Sequence, residues 1–179
     1  PDKLKNDKEI GLAAVSSNGG AFFDVSDQLK QDREIILTAL ENTGYRAARI
    51  MSEVPEADKD DREIVLASIK ANIHALEHAS DKLKNDKEVV MAALEQPYGD
   101  RAFEYCNERL KNDKPFMLQA ISINEESSSY VGDKLKADKE VAIAAVKKNG
   151  LRLNEFSDEI KGNKDIILEA VKHDANSLE

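Results

Sequence analysis

One cysteine, Cys106, and no tryptophan occur in 179 residues. A lone thiol cannot close an internal disulfide, so the chain must be held by packing alone, as in proteins of reducing compartments. Aromatic residues amount to 5%, too few for the stacking platforms on which single strands of nucleic acid bind. Basic residues are the minority charge, 26 against 35 acidic, which leaves a net charge of −9. Neutralising phosphates requires a net basic face, so neither nucleic acid nor an anionic membrane surface suits this chain as a partner. No apolar run approaches the roughly 20 residues of a membrane span. There is no charged-then-apolar leader before a cleavage site, and no P-loop, dinucleotide fingerprint or metal-protease motif. These gaps predict a protein that is not an enzyme, needs no cofactor and resides in the cytoplasm, or in a host cytoplasm if an intracellular bacterium delivers it.

What the chain has instead is repetition. Residues 83–94 read LKNDKEVVMAAL, and versions of this phrase run from one end to the other. Taking its aspartate as origin, Asp7, Asp32, Asp61, Asp86, Asp113, Asp138 and Asn163 stand 25, 29, 25, 27, 25 and 25 residues apart. The residue two before is always lysine (Lys5, Lys30, Lys59, Lys84, Lys111, Lys136, Lys161), and the residue after is always Lys or Arg. Asp followed by a charged turn and an apolar stripe is a helix start, because the carboxylate accepts from otherwise unpaired first-turn amides. Acids such as Glu34, Glu63 and Glu88 suit the positive end of the helix dipole. Apolar residues three, four, five and eight past the cap (Val89, Val90, Met91, Leu94) share one helical face. The residue seven past it is always small, from Ala14 to Ala170, which predicts a close neighbouring backbone.

The first helix is expected to stop at Asn18-Gly19, Gly44 or Asn149-Gly150, where a left-handed residue is tolerated. A shorter second helix should follow, carrying pairs such as Phe22 and Val25, or Phe103 and Cys106. After a polar turn comes an apolar anchor three before the next cap (Leu29, Leu83, Leu110). Helices this short are marginal alone, so neighbouring repeats must stabilise them. The expected fold is all-α: a right-handed α-solenoid of about seven short helix-turn-helix repeats of roughly 25 residues. Residues 1–179 then form a single helical-repeat domain, read as a fragment of a longer protein because Pro1 to Asp7 enters in mid-motif. Leu178-Glu179 reads as a cloning scar.

The phrase LKNDKEVVMAAL, with KNG and ALEHASDKLKNDKE around it, resembles the tandem repeat of domain of unknown function 4116. The resemblance covers the whole chain, and copies 1, 4 and 6 carry it best; copy 3 has Asp58 for the anchor, and copy 7 has Asn163 for the cap. It implies an architecture and brings no activity or functional residue.

Candidate chemistry is sparse. His74 and His78, four apart on the second helix of copy 3, could offer two zinc ligands on one face, though no third is evident. Cys106 takes a place held elsewhere by Val25 and Phe156, and so reads as a packing residue. Asp58 to Glu63 lacks the glycine and distal glutamate of a calcium loop, and Ser127-Ser128-Ser129 reads as linker. The lysine columns interleave with caps and first-turn acids, which predicts a self-neutralising ladder between repeats rather than an anion site. Function is expected where the copies disagree: about four extra residues in copy 2 around Met51 to Ala57, and two in copy 4 around Gln96 to Arg101. Tyr45, Arg46 and Arg49 in copy 2, with Tyr98, Arg101 and Tyr105 in copy 4, are residue types enriched at interface hot spots. They are the candidate binding residues of a non-catalytic scaffold whose partner is another protein. The alternative is an accessory or targeting domain of a larger enzyme or secreted bacterial effector.

Overall fold

The repeated aspartates do cap helices. In a computed structural model of the chain, which describes residues 2–174, the Asp61 carboxylate accepts from the amides of Glu63 and Ile64, and Asp86 accepts from those of Glu88 and Val89. Asp32, Asp138 and Asn163 do the same for their own helices, while Asp7 and Asp113 accept from the amides of Ile10 and Phe116. Named for their caps, the Asp7, Asp32, Asp61 and Asp86 helices are Lys8–Ser17, Arg33–Glu41, Arg62–Ala71 and Lys87–Leu94. The Asp113, Asp138 and Asn163 helices are Lys114–Ile123, Lys139–Lys148 and Lys164–His173. Pro115 fits the second position of its helix, where no amide is needed. The described residues are all helical, with repeated units and no strand, and no helix is long and apolar enough to cross a membrane. Leu178 and Glu179, read as a scar, lie outside the described residues.

The core follows the sequence spacing with one adjustment. Ile35, Ile36, Ala39 and Leu40 are fully buried, and so are Ile64, Val65 and Ser68 one repeat on. The residue five past the cap is only half-buried: Leu37, Leu66 and Met91 sit on the flank of the stripe. Each aliphatic side chain removed from water is worth roughly 1.5–3 kcal/mol, so the buried columns supply most of the packing energy. The small column behaves as expected, since Ala39, Ala93 and Ala120 are buried completely.

The second helix departs from expectation. In five repeats it is a 3-10 helix, such as Gly19–Phe23, Ile73–His78 or Gly150–Glu155. Only copy 2, with its extra residues, builds a true α-helix here, Ala47–Glu53. Five or six residues offer too few i to i−4 bonds for an α-turn to propagate, and the tighter 3-10 turn satisfies more of them. A third helical piece of three or four residues, such as Asp81–Lys84, precedes each later cap and carries the anchor. The helix-turn-helix expectation thus becomes three helical pieces per repeat.

The turn chemistry also differs. Asn18 and Asn149 are extended rather than left-handed, and their side chains cap the following 3-10 helices by accepting from the amides of Gly20 and Leu151. Asn72 and Asn124 do likewise. Gly19 is required for another reason: a Cβ there would lie 2.1 Å from the Ala39 carbonyl oxygen, so only glycine lets the two turns meet. Left-handed backbone occurs at Gly44 (φ 56°) and at Tyr98 (φ 59°) among the described residues. Both stand twelve past their caps, in the two copies where Thr43 and Pro97 replace the capping asparagine.

Two compact units divide the chain, Pro1–Tyr105 and Cys106–Glu179. In the first, the Asp32 helix packs against the Asp7 and Asp61 helices, and the Asp61 helix against the Asp86 helix. Backbone bonds tie successive repeats, with the amides of Ser26 and Ser80 donating to the carbonyls of Lys5 and Lys59. In the second, the Asp138 helix packs between the Asp113 and Asn163 helices, and Gly132 and Ser157 donate in the same way to Lys111 and Lys136. Ser127 and Ser128 belong to a 3-10 helix and are buried, with hydroxyls donating to the carbonyls of Ala120 and Glu125, so this triple is packed structure rather than linker.

Candidate functional site

The two ends of the capped helices have different chemistry. At the cap end, in four repeats the cation after the cap reaches the next repeat's cap and its first-turn acid. Lys8 Nζ lies 2.8 Å from Asp32 and 2.9 Å from Glu34. Arg33 binds Asp61 and Glu63, Arg62 binds Asp86 and Glu88, and Lys114 binds Asp138 and Glu140. This is the self-neutralising ladder that the spacing predicted. The Lys8 hydrogen bond holds Asp32 below the ordinary aspartate range; burial pushes Asp61 upward, but Arg33 and the Ile64 and Glu63 amides bring it below as well. Lysines two before the caps pair within their own repeats, as in Lys84 with Asp81 and Lys111 with Glu108. Where Asn163 replaces the carboxylate, Lys139 makes no ion pair among the described residues.

At the far end, within the unit Pro1–Tyr105, the chain departs from the repeat and a groove forms. Tyr45 and Tyr98, drawn from copies 2 and 4, wall one cavity of about 400 Å³ whose floor includes Lys70, Asn72, Ile73 and His74 of copy 3. Each tyrosine is 76% exposed. Tyr45 is placed by the left-handed turn at Gly44, and the Asn72 amide steadies it by donating to the Tyr45 carbonyl at 2.8 Å. Tyr98 itself occupies the left-handed conformation, which costs a side chain roughly 1–2 kcal/mol. Strain of this kind persists only where the surrounding structure holds it in place, and it clusters at functional sites. Lys70 and Ala71 also line a second cavity, about 970 Å³, bounded by Leu40, Glu41 and Leu66, so the two grooves adjoin.

The other candidates divide. The Arg46 guanidinium lies 5.6 Å from the Tyr45 ring centroid and its Nε donates to the Tyr45 hydroxyl at 3.2 Å, so it braces that wall. Arg49 stacks at 4.3 Å on Phe23 and serves packing instead. Tyr105 lies below the groove, its hydroxyl 2.9 Å from His74 Nδ1; burial is the largest cause of its raised pKa. Arg101 is exposed and does not line the cavity. The spacing overlooked Lys70, Asn72 and His74 as groove residues. Lys70 was legible as one position, nine past the cap, where charge changes from copy to copy.

The shared face expected of His74 and His78 is corrected. His74 and His78 lie on a 3-10 helix of three residues per turn, so a separation of four sets them about a third of a turn apart instead of on one face. No group of three His, Cys, Asp or Glu among the described residues is placed to hold a metal. Cys106 is buried, and burial pushes its thiol up to about 12, the behaviour of a packing residue.

Helical, tandemly repeated and capped at a fixed interval, the chain is a helical-repeat protein. It belongs to the family described as Domain of unknown function (DUF4116), whose model matches in tandem over residues 12–56, 61–99, 97–136 and 138–179. Neither a curated protein nor a solved structure matches it.

Proposed function

We propose that this chain is a non-catalytic scaffold of about seven repeats stacked as a right-handed α-solenoid, binding another protein through the groove between Tyr45 and Tyr98. The observation that carries this reading is the convergence of the two tyrosines. They come from the two copies that break the repeat, 53 positions apart in sequence, and share one cavity while staying three-quarters exposed. Tyrosine supplies a broad, stiff contact surface with a polar tip, which is why it recurs at binding hot spots. The acidic balance of the chain favours a protein partner over nucleic acid. The buried thiol of Cys106, and the engagement of His74 with Tyr105, support a non-catalytic role.

The test is a photo-crosslinking residue placed at Tyr98 or, as control, at exposed Gln119. In lysate of the source organism the first should yield a discrete adduct that Tyr45→Ala abolishes and the control does not form. Identical adducts from both positions, or an adduct indifferent to Tyr45→Ala, would overturn the reading.

A further inference from the structure

Nine residues past each cap lies an exposed column at the far end of the capped helices. In the unit Pro1–Tyr105 it reads Ser16, Glu41, Lys70 and Glu95. Among the described residues Glu41, Lys70 and Glu95 make no ion pair, whereas Arg33 and Arg62, at the opposite end of the Glu41 and Lys70 helices, each bind two carboxylates. Glu41 ends its helix and Glu95 directly follows its own, so both acids sit at the negative end of a helix dipole. These two carboxylates thus add no ion pair to the fold and face the unfavourable end of the dipole. Lys70 lies between them in chain order and lines the Tyr45 and Tyr98 cavity, while Glu41 borders the adjoining one.

We infer that the row Glu41, Lys70, Glu95 is a specificity-determining strip for an extended, proline-containing protein segment that carries a cation, an acid and a cation at every third residue. The inference rests on the interaction reading above and names the partner's chemistry. Packed helices stand roughly 8–10 Å apart, and three residues of a polyproline II segment span about 9.3 Å and return a side chain to the same face. The alternation of charge selects acid opposite Lys70 and cations opposite the two glutamates. Tyr45 and Tyr98 flank Lys70 and receive the intervening prolines, as aromatic-lined grooves receive this conformation.

The probe is a fluorescein-labelled peptide, Lys-Pro-Ala-Glu-Pro-Ala-Lys between Gly-Ser flanks, compared with its charge inverse, Glu-Pro-Ala-Lys-Pro-Ala-Glu, by anisotropy with the whole chain. The first should bind about eightfold more tightly, as three exposed pairs worth about twofold each would give. Glu41→Lys with Lys70→Glu and Glu95→Lys should reverse the order. That variant keeps an acidic chain, so attraction by net charge alone would leave the order unchanged and overturn the inference. Equal binding of the two peptides, or no binding, would also overturn it. The two readings separate through the crosslinked partner. If the charge-swapped variant retains it and Tyr45→Ala loses it, the strip fails and the scaffold stands; if Tyr45→Ala retains it, the scaffold reading itself fails.

Discussion

The cap end and the far end of the same helices divide the work of the unit Pro1–Tyr105. At the cap end residue types are constant and the cations after the caps pair across repeats, as Arg62 does with Asp86 and Glu88. At the far end the column nine past the cap changes sign between Glu41, Lys70 and Glu95, its charges go unmatched, and Tyr98 is held in a conformation its side chain disfavours. Uniformity marks what stacking requires of every repeat. Local expense without structural return is what the proposed interaction would account for.

Removing a cap should give the largest effect and leave recognition untouched. Asp61→Ala loses acceptors for two amides and a partner of Arg33, and should destabilise by about 1–2 kcal/mol in urea unfolding, with peptide affinity unchanged. A matching loss of affinity would join the two ends and break the contrast. The carboxylate form does this work: Asp32, Asp61 and Asp138 all titrate below the ordinary aspartate value. A group whose pKa is depressed by folding contributes fully above its unfolded pKa of about 4, and that contribution is lost as pH falls through the lower folded value. The urea midpoint should hold between pH 5 and pH 8, as far as these three groups determine it, and fall below about pH 4, with a smaller fall in Asp61→Ala.

Next in size comes Tyr98→Gly, which should stabilise the chain by about 1 kcal/mol by relieving the left-handed side chain, while weakening partner binding. Thermal unfolding and the Tyr98-dependent partner contact are the two readouts. If stability and binding rise together, Tyr98 is a defect of the fold rather than a displayed residue.

These contrasts also explain how much was legible in advance. The caps, the ladder and the small column follow from repetition, because interactions within and between neighbours recur at a fixed offset; Tyr45 and Tyr98 stood out as departures from it. The 3-10 character of the second piece did not follow, since helical periodicity over five or six residues hardly separates three from 3.6 residues per turn. The asparagine caps were hidden for a related reason: Asn-Gly fits a left-handed stop as well as an extended cap. The groove depended on which turns meet in space. Tyr45 meets copy 3 through the Asn72 bond, a contact that no spacing along the chain encodes.

Glu41→Lys should act in opposite directions at the two levels. A cation at the end of its helix gains about 0.5 kcal/mol from the dipole, and affinity for the Lys-Pro-Ala-Glu-Pro-Ala-Lys peptide should fall about twofold. A destabilised variant would show that Glu41 serves the fold and would remove it from the strip.

The smallest effect probes the ladder where it is interrupted. Asn163→Asp keeps a side chain that accepts from the Asp165 and Ile166 amides and adds the carboxylate that Lys139 lacks. Geometry at the preceding rung, where Lys114 reaches both Asp138 and Glu140, sets the expectation. The gain should be about 0.3 kcal/mol in low salt and should vanish in 1 M salt, where the screening length is roughly 3 Å. A gain that survives high salt would belong to a stronger helix cap instead. That outcome would make the cation after each cap a solvated passenger and leave the caps alone as what distinguishes this end of the helices from the other.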